Sequence, residues 1–165
     1  MNEQEAVDAP LAERALTLDV VKWAAQEGAW QVSGELSVAW MIEAWQYALK
    51  HRDEPITLDH VLALGRLVEP TVNRRGLRTV GVRVGYSVKP PPQEVPELLD
   101  RLIEQQPSTP AVDNKLAVEW FHNYEEIHPF RDGNGRSGAI WYNFLRGSLS
   151  DPIFPPNLWN DPRRR

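Results

Sequence analysis

The chain has 165 residues and no cysteine, which excludes a disulfide framework, a thiolate metal site and a thiol nucleophile. Its 23 acidic against 18 basic residues give a formal charge of −5, a poor balance for general nucleic-acid binding, which needs clustered Lys and Arg at the phosphates. A hydrophobic content of 42 % supports one core, and no stretch is apolar for long enough to span a bilayer, so one domain with neither nucleic-acid nor membrane partners is expected.

Residues 1–15 are polar and Ala-rich and read as a loose N-terminus, with residues 16–165 as a single domain. The opening MNEQEAVDAP lacks the basic start and apolar run of a secretion signal, which points to the cytoplasm. A helix is predicted over 17–28, with Thr17 as its cap and Gly28 near its stop. A second fits 37–51, where Val38, Met41, Ile42, Trp45 and Leu49 form one stripe. Thr57 caps a third, with Leu58, Val61, Leu62, Gly65 and Val68 inward, and Pro70 ends it. The pattern then changes. In GLRTVGVRVGYSVK, residues 76–89, valines alternate with small or charged residues, which predicts a hairpin over 79–88 closed by Pro90-Pro91-Pro92.

Helices follow over 95–105 and 111–127, the latter carrying Ala117, Trp120, Phe121 and Tyr124 on one face and delivering His128 to its end. A last helix is predicted over 136–146, with Ile140, Trp141, Phe144 and Leu145 inward. The Pro-rich tail is expected to dock through Phe154, Leu158 and Trp159. Seven tryptophans suggest large apolar anchors, most of them at core spacing and some at a contact surface. No repeat is present, and the class is all-α with one small β element. His51 and His60 read as caps or surface groups, and no histidine spacing suits zinc.

Residues 128–136 read HPFRDGNGR. Gly133-Asn134-Gly135 can turn successive amides into one hollow just before a helix start, where amides and dipole both favour an anion. Asp132 alone would repel a phosphate there; with Mg²⁺ between them the same carboxylate becomes a ligand. Arg136, in the first helical turn, is poorly placed against the dipole unless an anion offsets it. His128 is of the side-chain type that accepts protons near neutrality, and Phe130 is apolar enough to anchor the loop. Each feature alone is an ordinary turn or helix stop; their order describes phosphoryl or nucleotidyl transfer to a hydroxyl.

This stretch resembles the signature of the Fic (Fido-domain) family, His-Pro-Phe-x-Asp/Glu-Gly-Asn-Gly-Arg-x-x-Arg, at every specified position but the last, where Ala139 stands. The resemblance covers a motif core of about residues 55–147. It implies a helical bundle with a small β-hairpin flap, and transfer of AMP from ATP to a Ser, Thr or Tyr hydroxyl of a target protein. By motif position, His128 is the general base and Asp132 holds Mg²⁺. Gly133, Asn134 and Gly135 then form the anion hole, Arg136 adds contacts to phosphate, and Phe130 is structural. The hairpin, with Thr79, Val80, Val82 and Val84, is the flap that holds the target by strand addition.

In the family the missing arginine contacts the nucleotide's terminal phosphate and pairs with an inhibitory glutamate. Losing such a contact costs roughly 1.5–3 kcal/mol, about one to two decades in rate. Restoring it is expected to raise ATP use if ATP is the donor, and to leave it unchanged or lower if the site suits another donor. Arg146, Arg78 and Lys89 are the cations that could substitute, and Tyr142 and Asn143 could touch a base, with core and surface roles equally open. The inhibitory pattern Ser/Thr-x-x-x-Glu-Gly/Asn is absent, which leaves room for an antitoxin-like inhibitor supplied in trans. A variant with another donor, including a phosphotransferase, and a catalytically silent binding module are the competing readings.

Overall fold

The computed structural model describes residues 34–108, 113–153 and 155. The expected loose N-terminus, the helix over 17–28 and the docking of Phe154, Leu158 and Trp159 lie outside these. The described residues form five helices and one two-stranded sheet. In α1 (Gly34–Lys50) the expected stripe faces inward: Met41, Ala44, Trp45, Ala48 and Leu49 are buried, with Val38 and Ile42 packed at its margin. Trp45 Nε1 donates to the Leu149 carbonyl at 2.9 Å, so the ring's one polar atom is satisfied inside the core.

In α2 (Leu58–Val68), Thr57 is the N-cap, its side chain accepting from the His60 amide. The reciprocal bond of this capping box runs from the Thr57 amide to His60 Nδ1 at 3.2 Å, so histidine fills a place usually held by Glu or Gln. The buried face is Val61, Leu64, Gly65 and Val68. Leu58 and Leu62, expected inward, lie at its edge.

The sheet is shorter than the valine alternation predicts. Only β1 (Arg83–Val84) and β2 (Ser87–Val88) pair, antiparallel, in register Arg83 to Val88 and Val84 to Ser87. The Lys89 amide adds one bond to Val82 O. Continuing that register would set Gly81 against Pro90, Val80 against Pro91 and Thr79 against Pro92. Prolines have no amide hydrogen to give a ladder, so pairing stops there. Of the four residues expected in the flap, Val84 alone is in a strand; Thr79, Val80 and Val82 form an arm leading into it.

Pro96 sits in the first turn of α3 (Val95–Glu104), which buries Val95, Leu99 and Leu102. Asp113 caps α4 (Asn114–Ile127), accepting from the Lys115 amide. The final helix, α5 (Asn134–Arg146), begins two residues earlier than predicted and is buried at every position except Gly135 and Arg146. It packs on α1, α2 and α4, with α3 against α4 and α2. A helix enclosed on all sides is the centre of its domain, and α5 is that centre. At its contact with α4 the Tyr124 and Ser137 hydroxyls share a 2.8 Å hydrogen bond, and burial pushes the Tyr124 phenol well above its ordinary value.

One close approach fixes how the loop before α5 meets the bundle. Phe130 is fully buried, and its ring lies on the backbone of Gly65 in α2. A Cβ at Gly65 would fall 2.2 Å from the ring's far edge. Glycine inside a helix ordinarily costs roughly 0.5–1 kcal/mol relative to alanine. Here the sign reverses, because overpacking a filled site costs about 1–3 kcal/mol. Gly65→Ala is therefore expected to lower the urea midpoint rather than raise it, while Gly65→Ala with Phe130→Leu recovers part of the loss. A midpoint at or above wild type for the single variant would refute this contact.

Candidate active site

His128 ends α4 in the left-handed region, at φ 52° and ψ 64°, its amide donating to Tyr124 O. It is the one non-glycine residue with positive φ among those described. Left-handed backbone costs an L-residue energy, though histidine tolerates it better than most. Pro129 contributes, because the residue before proline is driven out of the right-handed helical region. The imidazole is partly exposed. Its Nδ1 lies 3.4 Å from Glu125 O. A carbonyl only accepts, so in this contact the ring hydrogen sits on Nδ1.

The strained end of α4 is held by a residue that no local pattern singles out for this part. Arg78 is buried and donates to four carbonyls: from Nε to His128 O at 2.6 Å, from Nη1 to Val80 O at 3.0 Å, and from Nη2 to Pro90 O at 2.7 Å and Ile127 O at 3.1 Å. Its own amide donates to Pro129 O. A cation at a helix C-terminus satisfies orphan carbonyls and the dipole together. Burial pushes the guanidinium below its ordinary pKa. Arg78 thus ties both arms of the hairpin to the end of α4.

The loop from Phe130 to Asn134 is closed by side-chain amides. Asn134 Oδ1 accepts from Phe130 N and its Nδ2 donates to Phe130 O, both at 2.8 Å. Asn73 Nδ2 donates to Asp132 O at 2.8 Å and to Gly65 O at 3.0 Å, pinning the loop to α2. Gly133 sits at φ 75°, and a Cβ there would meet Val68 at 3.0 Å, so the position suits only glycine.

Behind this turn α5 begins. The amides of Asn134, Gly135 and Arg136 precede the first intrahelical donor, Ser137, which bonds to Gly133 O. These three amides have no acceptor among the described residues. The Gly133 amide differs: it donates to Asp132 Oδ1 at 2.7 Å. The Asp132 side chain is 57 % exposed and lies 3.8 Å from Arg136 Nη2, so a carboxylate already stands at the mouth of the hollow. A solvent-facing carboxylate beside backbone donors suits a hard cation bound together with phosphates, since Mg²⁺ takes one or two protein carboxylates and completes its shell with phosphate and water.

Arg136 is held by the protein's own carboxylates. Its side chain is 2 % exposed, 3.4 Å from Glu69 Oε2, and Nη1 donates to Val68 O at 3.2 Å. The anion that offsets an arginine in this first turn is the protein's own Glu69, at the C-cap of α2. The guanidinium braces α2 against α5, with Nη2 also 3.8 Å from Asp132 Oδ1. Ala139 is likewise fully buried. None of the substitute cations stands open: Lys89 pairs with Glu126, Arg78 holds carbonyls, and Arg146 lies over the Tyr142 ring with Nη1 donating to its hydroxyl. Tyr142 and Asn143, expected near a base, are buried. Asn143 organises the segment after α5, accepting from Ile153 N and donating to Ile153 O.

The sequence model of the Fic/DOC family matches residues 55–145, more than half of the chain. The chain belongs to the Fic/DOC family. Solved structures agree on the fold. A Fic domain containing signaling protein from Bacteroides thetaiotaomicron superposes with TM-score 0.56 at 21 % identity, over 67 % of this chain and 47 % of that one. A Fic family protein from Desulfovibrio desulfuricans does so with TM-score 0.55 at 22 % identity, over 87 % and 48 %. This Fic chain spans about half the length of each. No helix among the described residues is long and apolar enough to cross a membrane.

A second polar cluster lies at the α1–α2 junction. Glu54 Oε2 is 3.0 Å from His51 Nδ1 and 3.1 Å from His60 Nε2, and the hydrogen bond from His51 holds the Glu54 carboxyl below its ordinary range. Because the Thr57 amide occupies His60 Nδ1, the ring hydrogen is on Nε2 and points at the carboxylate. The two histidines are thus a cap and a hydrogen-bonded junction.

Two expectations follow for the Fic site. Arg78→Lys keeps a charge but cannot span four carbonyls, so it should lower stability by roughly 2–4 kcal/mol and speed amide exchange at residues 127–130 above the global change; exchange unaltered there would refute the clamp. Ala139→Arg places a cation in a filled, enclosed site, so it should lower the melting temperature and fail to raise nucleotide use. A stable variant with increased ATP turnover would show instead that the position opens to the hollow.

Proposed function

We propose that this Fic protein transfers AMP, or a related nucleotide-derived group, from a Mg-nucleotide to a Ser, Thr or Tyr hydroxyl of a target protein. The observation that carries the reading is the pairing of a partly exposed His128, with Nδ1 turned to Glu125 O, and three acceptor-free amides at the start of α5 beside the exposed Asp132 carboxylate. A hydrogen-bond acceptor for the incoming proton and donors for a phosphate lie within nine residues, His128 to Arg136.

On this reading His128 Nε2 takes the proton of the target hydroxyl as its oxygen bonds to the α-phosphorus, and pyrophosphate leaves. The amides of Asn134, Gly135 and Arg136 hold the nucleotide's phosphate oxygens, with the α5 dipole behind them. Asp132 would hold Mg²⁺, which would neutralise charge on the phosphates when bound. Phe130, Asn134, Asn73 and Arg78 keep the loop in register. The arm from Thr79 to Val82 offers the target an open backbone edge. A different donor is the second reading, favoured because position 139 is a buried alanine and presents no cation to a terminal phosphate. An inhibitor in trans fits the absent inhibitory pattern.

The test is labelling of a lysate with ATP, UTP and CTP, each with Mg²⁺, read by mass spectrometry on target hydroxyls. Wild type should label with one nucleotide, and His128→Ala should lose about 10²-fold or more of that signal. Equal labelling by both proteins removes His128 as the base; no labelling by either, with any donor, leaves a binding module.

A further inference from the structure

A groove of about 630 Å³ opens beside the Fic loop, between the α2–hairpin connection, the arm entering β1, and Arg131. Four of its ten lining residues are arginines, Arg74, Arg75, Arg78 and Arg131, and none is acidic. In a chain carrying five more acidic than basic residues, that concentration runs against the overall charge. Arg78 is committed to carbonyls. Arg74, Arg75 and Arg131 are exposed, and none forms an ion pair among the described residues.

The groove also has an apolar wall. Val72 and Val80 are 40 % and 46 % exposed, two of the few large hydrophobic side chains left open. Val80 belongs to the unpaired arm that ends in β1, and Arg131 immediately precedes Asp132 and lies three residues after His128. Like charges gathered around apolar side chains, next to open backbone, favour an extended chain with carboxylates over a compact anion. A free phosphate would call for convergent buried donors, and the one buried arginine here is occupied.

We propose that this groove binds an acidic stretch of the target polypeptide, with Asp or Glu flanking the hydroxyl that reaches His128. The inference rests on the transferase reading and adds the class of sequence selected. Arg74, Arg75 and Arg131 then set specificity by long-range attraction and by penalising a basic neighbour, while the backbone edge supplies sequence-independent affinity.

The experiment uses fluorescence anisotropy without nucleotide. Three labelled peptides share the core Val-Thr-Val, flanked on both sides by paired Glu, paired Gln or paired Lys. Wild type should bind the Glu peptide about tenfold more tightly than the Gln peptide at about 50 mM NaCl and lose most of that preference near 500 mM, since exposed charges are screened. The double variant Arg74→Glu with Arg131→Glu, checked for an unchanged circular dichroism melt, should reverse the order and favour the Lys peptide. Equal affinity for Glu and Gln peptides, or a preference that survives the double variant, overturns the proposal. So does tripolyphosphate that binds the groove while the Glu peptide shows no preference. His128→Ala should bind the peptides as wild type does, so a protein that selects the Glu peptide yet labels nothing would sink the transferase reading and leave the groove standing.

Discussion

Everything around the Fic loop depends on one buried guanidinium. The end of α4 leaves carbonyls without partners, and the turn into Pro129 forces His128 into a conformation that histidine adopts at a cost. Both problems meet at Arg78, which gathers the carbonyls of Ile127, His128, Val80 and Pro90 around one side chain. The hairpin is therefore more than a ribbon laid over the bundle. Its two arms and the end of α4 share a cation, so their relative positions are fixed by the same hydrogen bonds. The prolines that halt the ladder serve the same arrangement: an arm that cannot pair inward keeps an edge available outward.

The second constraint is the centrality of α5. In a helix buried on all sides, any polar side chain needs a partner from its own fold. Arg136 finds Glu69 and Val68 O, Asn134 closes on Phe130, Ser137 meets Tyr124, and Asn143 collects the chain that follows. Burying an ion pair contributes little net stability, but removing one partner strands the other at a cost of roughly 3–5 kcal/mol. The pair is better understood as a registry device, holding the C-terminus of α2 opposite the first turn of α5, next to the glycine turn. Gly65 against Phe130 sets the depth of that contact and Arg136 with Glu69 sets its alignment.

How much of this was legible in the sequence follows from which interactions are local. Helices α1 to α4 were readable because apolar spacing and caps such as Thr57 act within a few residues. The motif's turn between α4 and α5 was readable because its order is local too. The length of the hairpin was not, since it depends on which residues face Pro90 to Pro92 once the register is set. The direction of Arg136 was hidden for a related reason: in sequence it is a cation beside a glycine turn, and only the fold brings Glu69, 67 positions away, to it. Arg78 looked like one basic residue among several. Its partners are backbone carbonyls, which every residue carries and no pattern distinguishes. Tyr142 and Asn143 were open to a surface role only while α5 was assumed to have a surface.

The electrostatics of the hollow then take an uneven form. With Arg136 buried against Glu69 and Asp132 and alanine at position 139, α5 brings no uncompensated side-chain cation to the loop. The attraction comes from backbone amides and the dipole, which are short-ranged and fixed in direction, and from rim arginines such as Arg131, which are exposed and screened within about 10 Å at 0.1 M salt. A fixed inner donor set recognises any phosphate, whereas a mobile outer set responds to the charge of whatever approaches. On the proposed reading, then, a substitution in the groove should move selectivity between targets more than chemistry. The reverse holds for the loop, because only its amides and His128 lie where bonds would change.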